Sequence, residues 1–354
     1  MLGHLWQPSR SGVTVMRNQR TTDRRSFLTS CLAGAVGLAV GDRSFPAGAA
    51  EPSAIPTRPR VVVAQDAHLR NSSGKVDPGR VLGLLDHAMQ NLYGVSDPAQ
   101  PWARIVRSGQ RVAIKVNTLG GRGLSTNVQL VEAICRRLQA SGIRPKDITV
   151  WDRDSWEMER AGFSIRTGGS QAQCFGTDRM GYSDDLAEFG SVGSRLSKIL
   201  TERCDVLINV PVLKDHDGAG ITIALKNMYG VIHNPNKYHP NGCNPYIADV
   251  NMLPAIRAKQ RLIICDATSA CFEGGPAFKP EFTWQPNILL VSQDPVALDH
   301  TGWQIIERKR AEKGLKTLAA AERAPHYIAT AADADHRLGT NDPRRITVIE
   351  TRVA

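Results

Sequence analysis

The chain has 354 residues, 42% of them hydrophobic and 22% charged, with a formal net charge of +10. This composition excludes a wholly disordered chain and supplies enough apolar residues to bury a large core in one or two domains. Residues 1–49 hold six Lys and Arg against two Asp and Glu, and without them the net charge falls to +6. The remaining basic residues are scattered, without long runs or interleaved aromatics, so no nucleic-acid partner is expected.

Near the N-terminus, Arg24 and Arg25 in TTDRRSFLTS precede a modestly apolar run from Phe27 to Val40, followed by Ala47, Gly48 and Ala49. A basic start, a short apolar stretch and small residues describe an export signal cut after Ala49. The paired arginines followed by Ser26, Phe27 and Leu28 resemble a twin-arginine signal. That implies the twin-arginine translocase as a partner and a periplasmic or other extracytoplasmic destination. The apolar run is too short to settle across a bilayer, so no stable membrane span is expected in the mature chain. The expected organisation is a signal at 1–49, a Pro-rich linker at 50–59 and one domain at 60–354.

Within the domain, short β-branched runs alternate with amphipathic stretches, the pattern of an α/β fold with a mostly parallel sheet and helices on both faces. Residues 60–65 form a strand, and Asp77-Pro78 opens a helix to about residue 91, using the preference for proline at the first helical position. A strand at 111–117 leads through the glycine-rich loop 118–126 to a helix at 127–140, ended by Gly142. The next strand is 148–152. The polar segment 153–193 contains seven glycines and is either a lid-like insertion or a small subdomain. Then come a helix at 194–203, a strand at 206–210 stopped by Pro211, a helix at 246–260 and a strand at 262–266. A strand at 287–292, a helix at 296–313 and an edge strand at 345–351 complete the chain.

The stretch LINVPVLKDHDGAGITIALKNMYGVI at 207–232 concentrates the candidate chemistry. After the strand, Lys214, Asp215, His216 and Asp217 form a charged loop, and Gly218 and Gly220 open a short helix carrying Lys226 and Asn227. Free N–H groups at such a helix start favour phosphate or carboxylate. Parallel sheets bind ligands beyond the carboxyl ends of their strands. There Asp66, Asn117, Asp152, Lys214, Asp215, Asp266 and Asp294 share one rim if the strands are parallel. Lys115, Asn117, Lys214 and Asn227 are the expected binding residues for a small anionic ligand. His216, Glu273 and Lys226 are the catalytic candidates, as proton-transfer groups and a mobile positive charge. Asp215, His216 and His233 offer carboxylate and imidazole donors for a divalent metal. The six cysteines beyond residue 49 include no C-x-x-C pair, so an iron–sulfur cluster is not expected. Cys265 and Cys271 are the nearest pair for a disulfide.

Five segments together carry a resemblance: KVN at 115–117, LKDHDGAGITIALKNMYG at 213–230, CDATSACFEGGPAF at 265–278, SQDPVALD at 292–299 and AADADHRLGTNDPRRI at 331–346. In this order they resemble the Domain of Unknown Function 362 family over roughly residues 60–350. The resemblance implies an α/β fold and no agreed activity. Many relatives also carry a ferredoxin-type cysteine cluster, which this chain lacks. The expectation is an exported enzyme acting on a small carboxylate or phosphate. The alternative is a non-catalytic periplasmic binding or maturation factor associated with a redox system.

Overall fold

Four short strands, β1 (Arg60–Gln65), β2 (Val112–Lys115), β3 (Ile148–Trp151) and β4 (Gln173–Cys174), begin the central sheet of the computed structural model, which describes residues 58–353. The expected signal and most of the linker lie outside the described residues. A two-stranded hairpin of β5 (Tyr182–Phe189) and β6 (Val192–Ser197) follows. The sheet continues with β7 (Val206–Asn209), β8 (Val212–His216), β9 (Gly220–Thr222) and β10 (Gln260–Cys271). It is completed by β11 (Thr283–Trp284), β12 (Ile288–Ser292) and β13 (Thr347–Arg352).

The 11-stranded sheet has the order β13-β1-β12-β10-β7-β2-β3-β4, with β8 and β11 on β10 and β9 on β8. Along the main order only β12 opposes its neighbours; the other pairs are parallel. The mostly parallel α/β expectation therefore holds. β2, β3 and β7 are buried at every position, as strands covered on both faces must be. Alternation sends Val112, Ile114, Val206 and Ile208 to a core with helices Pro78–Tyr93 and Val128–Ala140. Ala113, Trp151, Leu207 and Ile263 face the second core, built with helices Tyr246–Met252 and Pro295–Glu312. Among the described residues no helix is long and apolar enough to cross a membrane.

Several local expectations change. Residues 194–197 belong to β6, and only Lys198–Glu202 is helical. The helix expected at 246–260 divides into Tyr246–Met252 and Pro254–Arg257, with Leu253 extended at ψ 127° before the proline, as the ring's clash with the preceding residue requires. The polar segment 153–193 adds β4 to the sheet edge and contributes β5 to the hairpin, whose β6 side chains Val192 and Leu196 enter the second core. Because β12 runs against its neighbours, Asp294 sits at the opposite end of the sheet from the rim, where it caps helix Pro295–Glu312. All six cysteines among the described residues are free and buried. Cys265 and Cys271 both lie in β10, six residues apart and so separated by roughly 20 Å along an extended strand.

One cluster, in which His336 and Asp249 are buried and Asp333 is exposed, ties the hairpin to the C-terminal segment. His336 Nε2 lies 2.9 Å from Asp249 Oδ1 and its Nδ1 2.8 Å from Asp333 Oδ1, while Asp249 Oδ2 accepts from the Ser191 N–H at 2.8 Å. Burial lowers the His336 pKa, but the two carboxylates outweigh it and leave it raised above 6.5. A raised histidine adds stability that is complete below its unfolded value and fades as pH climbs through the folded value. The melting-temperature advantage of the native chain over His336→Asn should therefore be full below pH 6.5 and shrink as pH rises above it. An advantage constant through that rise would contradict the assignment.

Candidate functional site

The chain leaves β7 at Asn209, passes Pro211 and resumes at once as β8, so the expected charged loop is a strand paired with β9 and with the far end of β10. The turn at residues 217–219 closes this hairpin and Gly220 follows at φ +80°, a conformation open to glycine without strain. Strand alternation then divides the charges. Lys214 and His216 line a cavity of about 360 Å³, whereas Asp215 turns to the other face, a size suited to a small molecule.

Lys115, Asn117, Lys214, His216, Lys226 and Asn227 all line this cavity, as do Asp152, Tyr229 and His239. Lys115 Nζ donates to Asp152 Oδ1 and to the Val116 carbonyl, both at 2.6 Å. The second Asp152 oxygen accepts from Thr118 N–H at 2.8 Å and Thr118 Oγ1 at 2.9 Å. Burial raises the Asp152 pKa, but Lys115 and the backbone donors more than offset it, leaving the carboxyl lowered and ionised. A Cβ on Gly230 would stand 2.7 Å from Lys115 Nζ and 3.0 Å from Asp152 Oδ1, so this ion pair occupies space that only glycine leaves open.

An amide chain connects the ion pair to Lys214, starting from Asn227 Oδ1 3.5 Å from Lys115 Nζ. Asn117 Nδ2 donates to Asn227 Oδ1 at 3.0 Å, Asn227 Nδ2 donates to Asn209 Oδ1 at 2.8 Å, and Lys214 Nζ donates to Asn117 Oδ1 at 2.7 Å. Lys214 is 0% exposed and Lys226 6%. Among the described residues neither has a carboxylate within ion-pair distance, unlike Lys115. Burial pulls Lys214 down to about 8, against the opposing pull of Asp152. Lys226 is also lowered, chiefly by burial. Its Nζ lies 4.3 Å from the centre of the Tyr229 ring and 3.3 Å from His239 Nε2.

His216 Nδ1 faces the N–H groups of Gly218 and Ala219 at 3.1 and 3.2 Å and Asp217 Oδ1 at 3.1 Å; the Asp217 oxygen is itself held by the Gly218 N–H at 2.8 Å, so the two backbone donors at Nδ1 favour the neutral ring with its proton on Nε2. Burial, followed by Lys226 and His239, holds its pKa down at about 2. At neutral pH His216 therefore offers a hydrogen-bond donor, and in this tautomer Nε2 has no lone pair with which to take a proton. The His239 ring stacks on it, with centres 5.9 Å apart.

The remaining candidates lie elsewhere. Glu273 does not line the cavity; its oxygens bond to Arg310 and Arg323, the latter at 2.7 and 2.9 Å. Burial raises its pKa, yet the two guanidiniums leave it lowered. A general base needs a free oxygen beside the substrate, and Glu273 has both oxygens engaged outside the cavity. Asp215 joins the same guanidinium cluster through Arg323 at 3.0 Å and accepts from the Gly275 N–H at 3.1 Å. His233 sets its ring edge-on to Tyr182. Asp215, His216 and His233 thus do not converge, and among the described residues no group of three His, Cys, Asp or Glu side chains is placed to hold a metal ion.

The expected helix start also changes role. Helix Ala224–Asn227 has four residues, and the Ala224 and Leu225 N–H groups donate to the Asp299 carboxylate at 2.7 and 3.2 Å. An internal acid therefore takes the place an anion would fill. Asp66 pairs with Arg80 at 2.7 Å, and Asp266 accepts from the Asn127 N–H at 2.6 Å; these two rim carboxylates serve neighbouring loops and helices. Tyr229 and His239, three and thirteen residues after Lys226, are its partners here, a pairing without a signal in the sequence because His239 comes from a separate turn of chain.

The site lies within the segment that decides the family. The family described as "Domain of unknown function (DUF362)" matches residues 112–304, more than half of the chain. The chain belongs to this family. In this family member, the matched segment runs from β2 through β12 and includes each of the cavity lysines. No curated protein matches the chain.

Proposed function

We propose that the cavity binds a small organic anion, a carboxylate or phosphate monoester, as the substrate of an enzyme. One observation carries this reading: two buried lysines face a single cavity, and among the described residues neither has a carboxylate partner. Buried charges are ordinarily paired, and an anionic ligand would supply the missing charge. His216 Nε2–H and the lysine ammoniums would provide charge-assisted hydrogen bonds to its oxygens. The solvent-facing Asp217 discourages anions at the mouth without reaching the pairing role that Asp152 plays for Lys115.

Calorimetry and thermal melts with phosphate, pyruvate and chloride test the reading. A ligand at a hundred times its Kd should stabilise the fold by about 2.7 kcal/mol. Equal, weak responses to all three anions would remove the proposal. Once a ligand is in hand, turnover distinguishes an enzyme from a non-catalytic binding factor.

We also propose that the protein is exported by the twin-arginine route, on the strength of Arg24 and Arg25 in their Ser-Phe-Leu context. Replacing both by lysine should abolish appearance of the chain outside the cytoplasm in a fractionation assay. Undiminished export would refute this route.

A further inference from the structure

We propose that Lys214 is a covalent catalyst whose Nζ condenses with the carbonyl of a small oxo acid, while Lys226 and His216 hold the acid's carboxylate. This rests on the anion-binding reading above and specifies its substrate class: a ketone or aldehyde that also carries a carboxylate.

The three cavity lysines differ in what occupies them. Lys115 is committed to Asp152 and the Val116 carbonyl. Lys226 sits over the Tyr229 ring and against His239 Nε2, contacts that engage its Nζ although burial lowers its pKa. Among the described residues Lys214 makes one hydrogen bond, to the neutral Asn117 amide oxygen at 2.7 Å, and has no aromatic ring or imidazole against its Nζ. Among the described residues its other two protons have no partner, although the residue is 0% exposed and lines the cavity. The Asn117 oxygen is itself fixed, because Asn117 Nδ2 is engaged by Asn227. The amine is therefore positioned without being neutralised by an acid. His216 lies two residues along the same strand on the same face, so a donor stands beside the amine.

Desolvation favours the reactive form against the opposing pull of Asp152, with a smaller contribution from the neighbouring ammoniums. With a pKa of about 8, about one Lys214 side chain in ten is neutral at pH 7, compared with about one in three thousand for an ordinary lysine. A buried amine beside other cations is an established means of activating a lysine nucleophile. The step balances without an oxidant or reductant. The Lys214 ammonium first gives one proton to water; its nitrogen lone pair then forms the C–N bond as the carbonyl π pair moves to oxygen, which takes one proton from the attacking nitrogen and one back from water and leaves as water, giving the protonated imine, so that ammonium and carbonyl become iminium and water. The Lys226 ammonium and the His216 Nε2–H remain as partners of the carboxylate throughout.

Incubation of the full chain with pyruvate and sodium borohydride, followed by intact mass and peptide mapping, tests the assignment. The expected result is one reduced pyruvate adduct per chain, on the peptide holding Lys214, lost in Lys214→Met and retained in Lys226→Met at higher pyruvate concentration. Circular dichroism checks that each variant folds; if Lys214→Met does not, the mapped position in the native chain still decides. An adduct on Lys226, or label spread over exposed lysines as in the urea-unfolded chain, overturns the assignment. Pyruvate binding by calorimetry with no trapped adduct overturns covalent catalysis and leaves the anion site standing. Absence of both binding and adduct, with phosphate also failing to bind, overturns both readings.

Discussion

Asp152→Ala is expected to destabilise the fold by about 3–5 kcal/mol, the usual consequence of removing one member of a buried ion pair. Lys115 is 1% exposed and would keep its charge beside only the Val116 carbonyl and, at 3.5 Å, Asn227 Oδ1. Thr118 N–H, Thr118 Oγ1 and Arg153 N–H would lose their acceptor as well. Urea denaturation of the purified variant measures the loss. Lys115→Met combined with Asp152→Leu should recover the part due to the stranded Lys115 charge, leaving the part due to the Thr118 and Arg153 donors that lose their acceptor in both variants. A single variant within about 1 kcal/mol of the native chain would show that the pair does not anchor this end of the sheet. The lowered Asp152 pKa adds an acid limb. A depressed carboxylate stabilises above its unfolded value, here 3.8, and that stability disappears as pH falls through the folded value.

The elements that sequence pattern located well are those determined by local chemistry. β1 has the expected limits of 60 and 65, and helix Pro78–Tyr93 begins where Asp77 accepts from the Gly79 and Arg80 N–H groups. β2, β3 and β7 carry the uninterrupted apolar residues of a doubly covered sheet. The direction of β12 has no local signature, which is why Asp294 leaves the rim. β8 was hidden for a different reason. Lys214, Asp215 and His216 suit a strand only because one face meets a cavity and the other meets Arg323, more than a hundred residues away in sequence. At 194–203, helical spacing was overruled by the hairpin packing of Val192 and Leu196. Six of the expected site residues meet in one cavity. Glu273 stands before Gly274 and Gly275 in the sequence, but the arginines that hold it outside the cavity come from distant positions.

Lys226→Met should weaken binding of the anionic ligand and leave the unliganded fold as stable as before or more so. Lys226 is 6% exposed and has no carboxylate partner among the described residues, and its pKa is lowered chiefly by burial. The unliganded protein therefore sustains a desolvated cation whose charged form its surroundings disfavour. Methionine matches the stem and removes the charge, while half-buried His239 can turn to water for the donor it loses. The expected gain is on the order of 1–2 kcal/mol in a urea titration at neutral pH. Losing a desolvated charged contact to ligand should instead cost about 2–4 kcal/mol of binding, roughly 30- to 1,000-fold in Kd by calorimetry. The opposite signs are the diagnostic feature: a lysine retained for structure would lose stability when replaced, whereas one retained for a ligand would gain it. A destabilised Lys226→Met with unchanged affinity would assign this buried charge to the fold and remove it from the site.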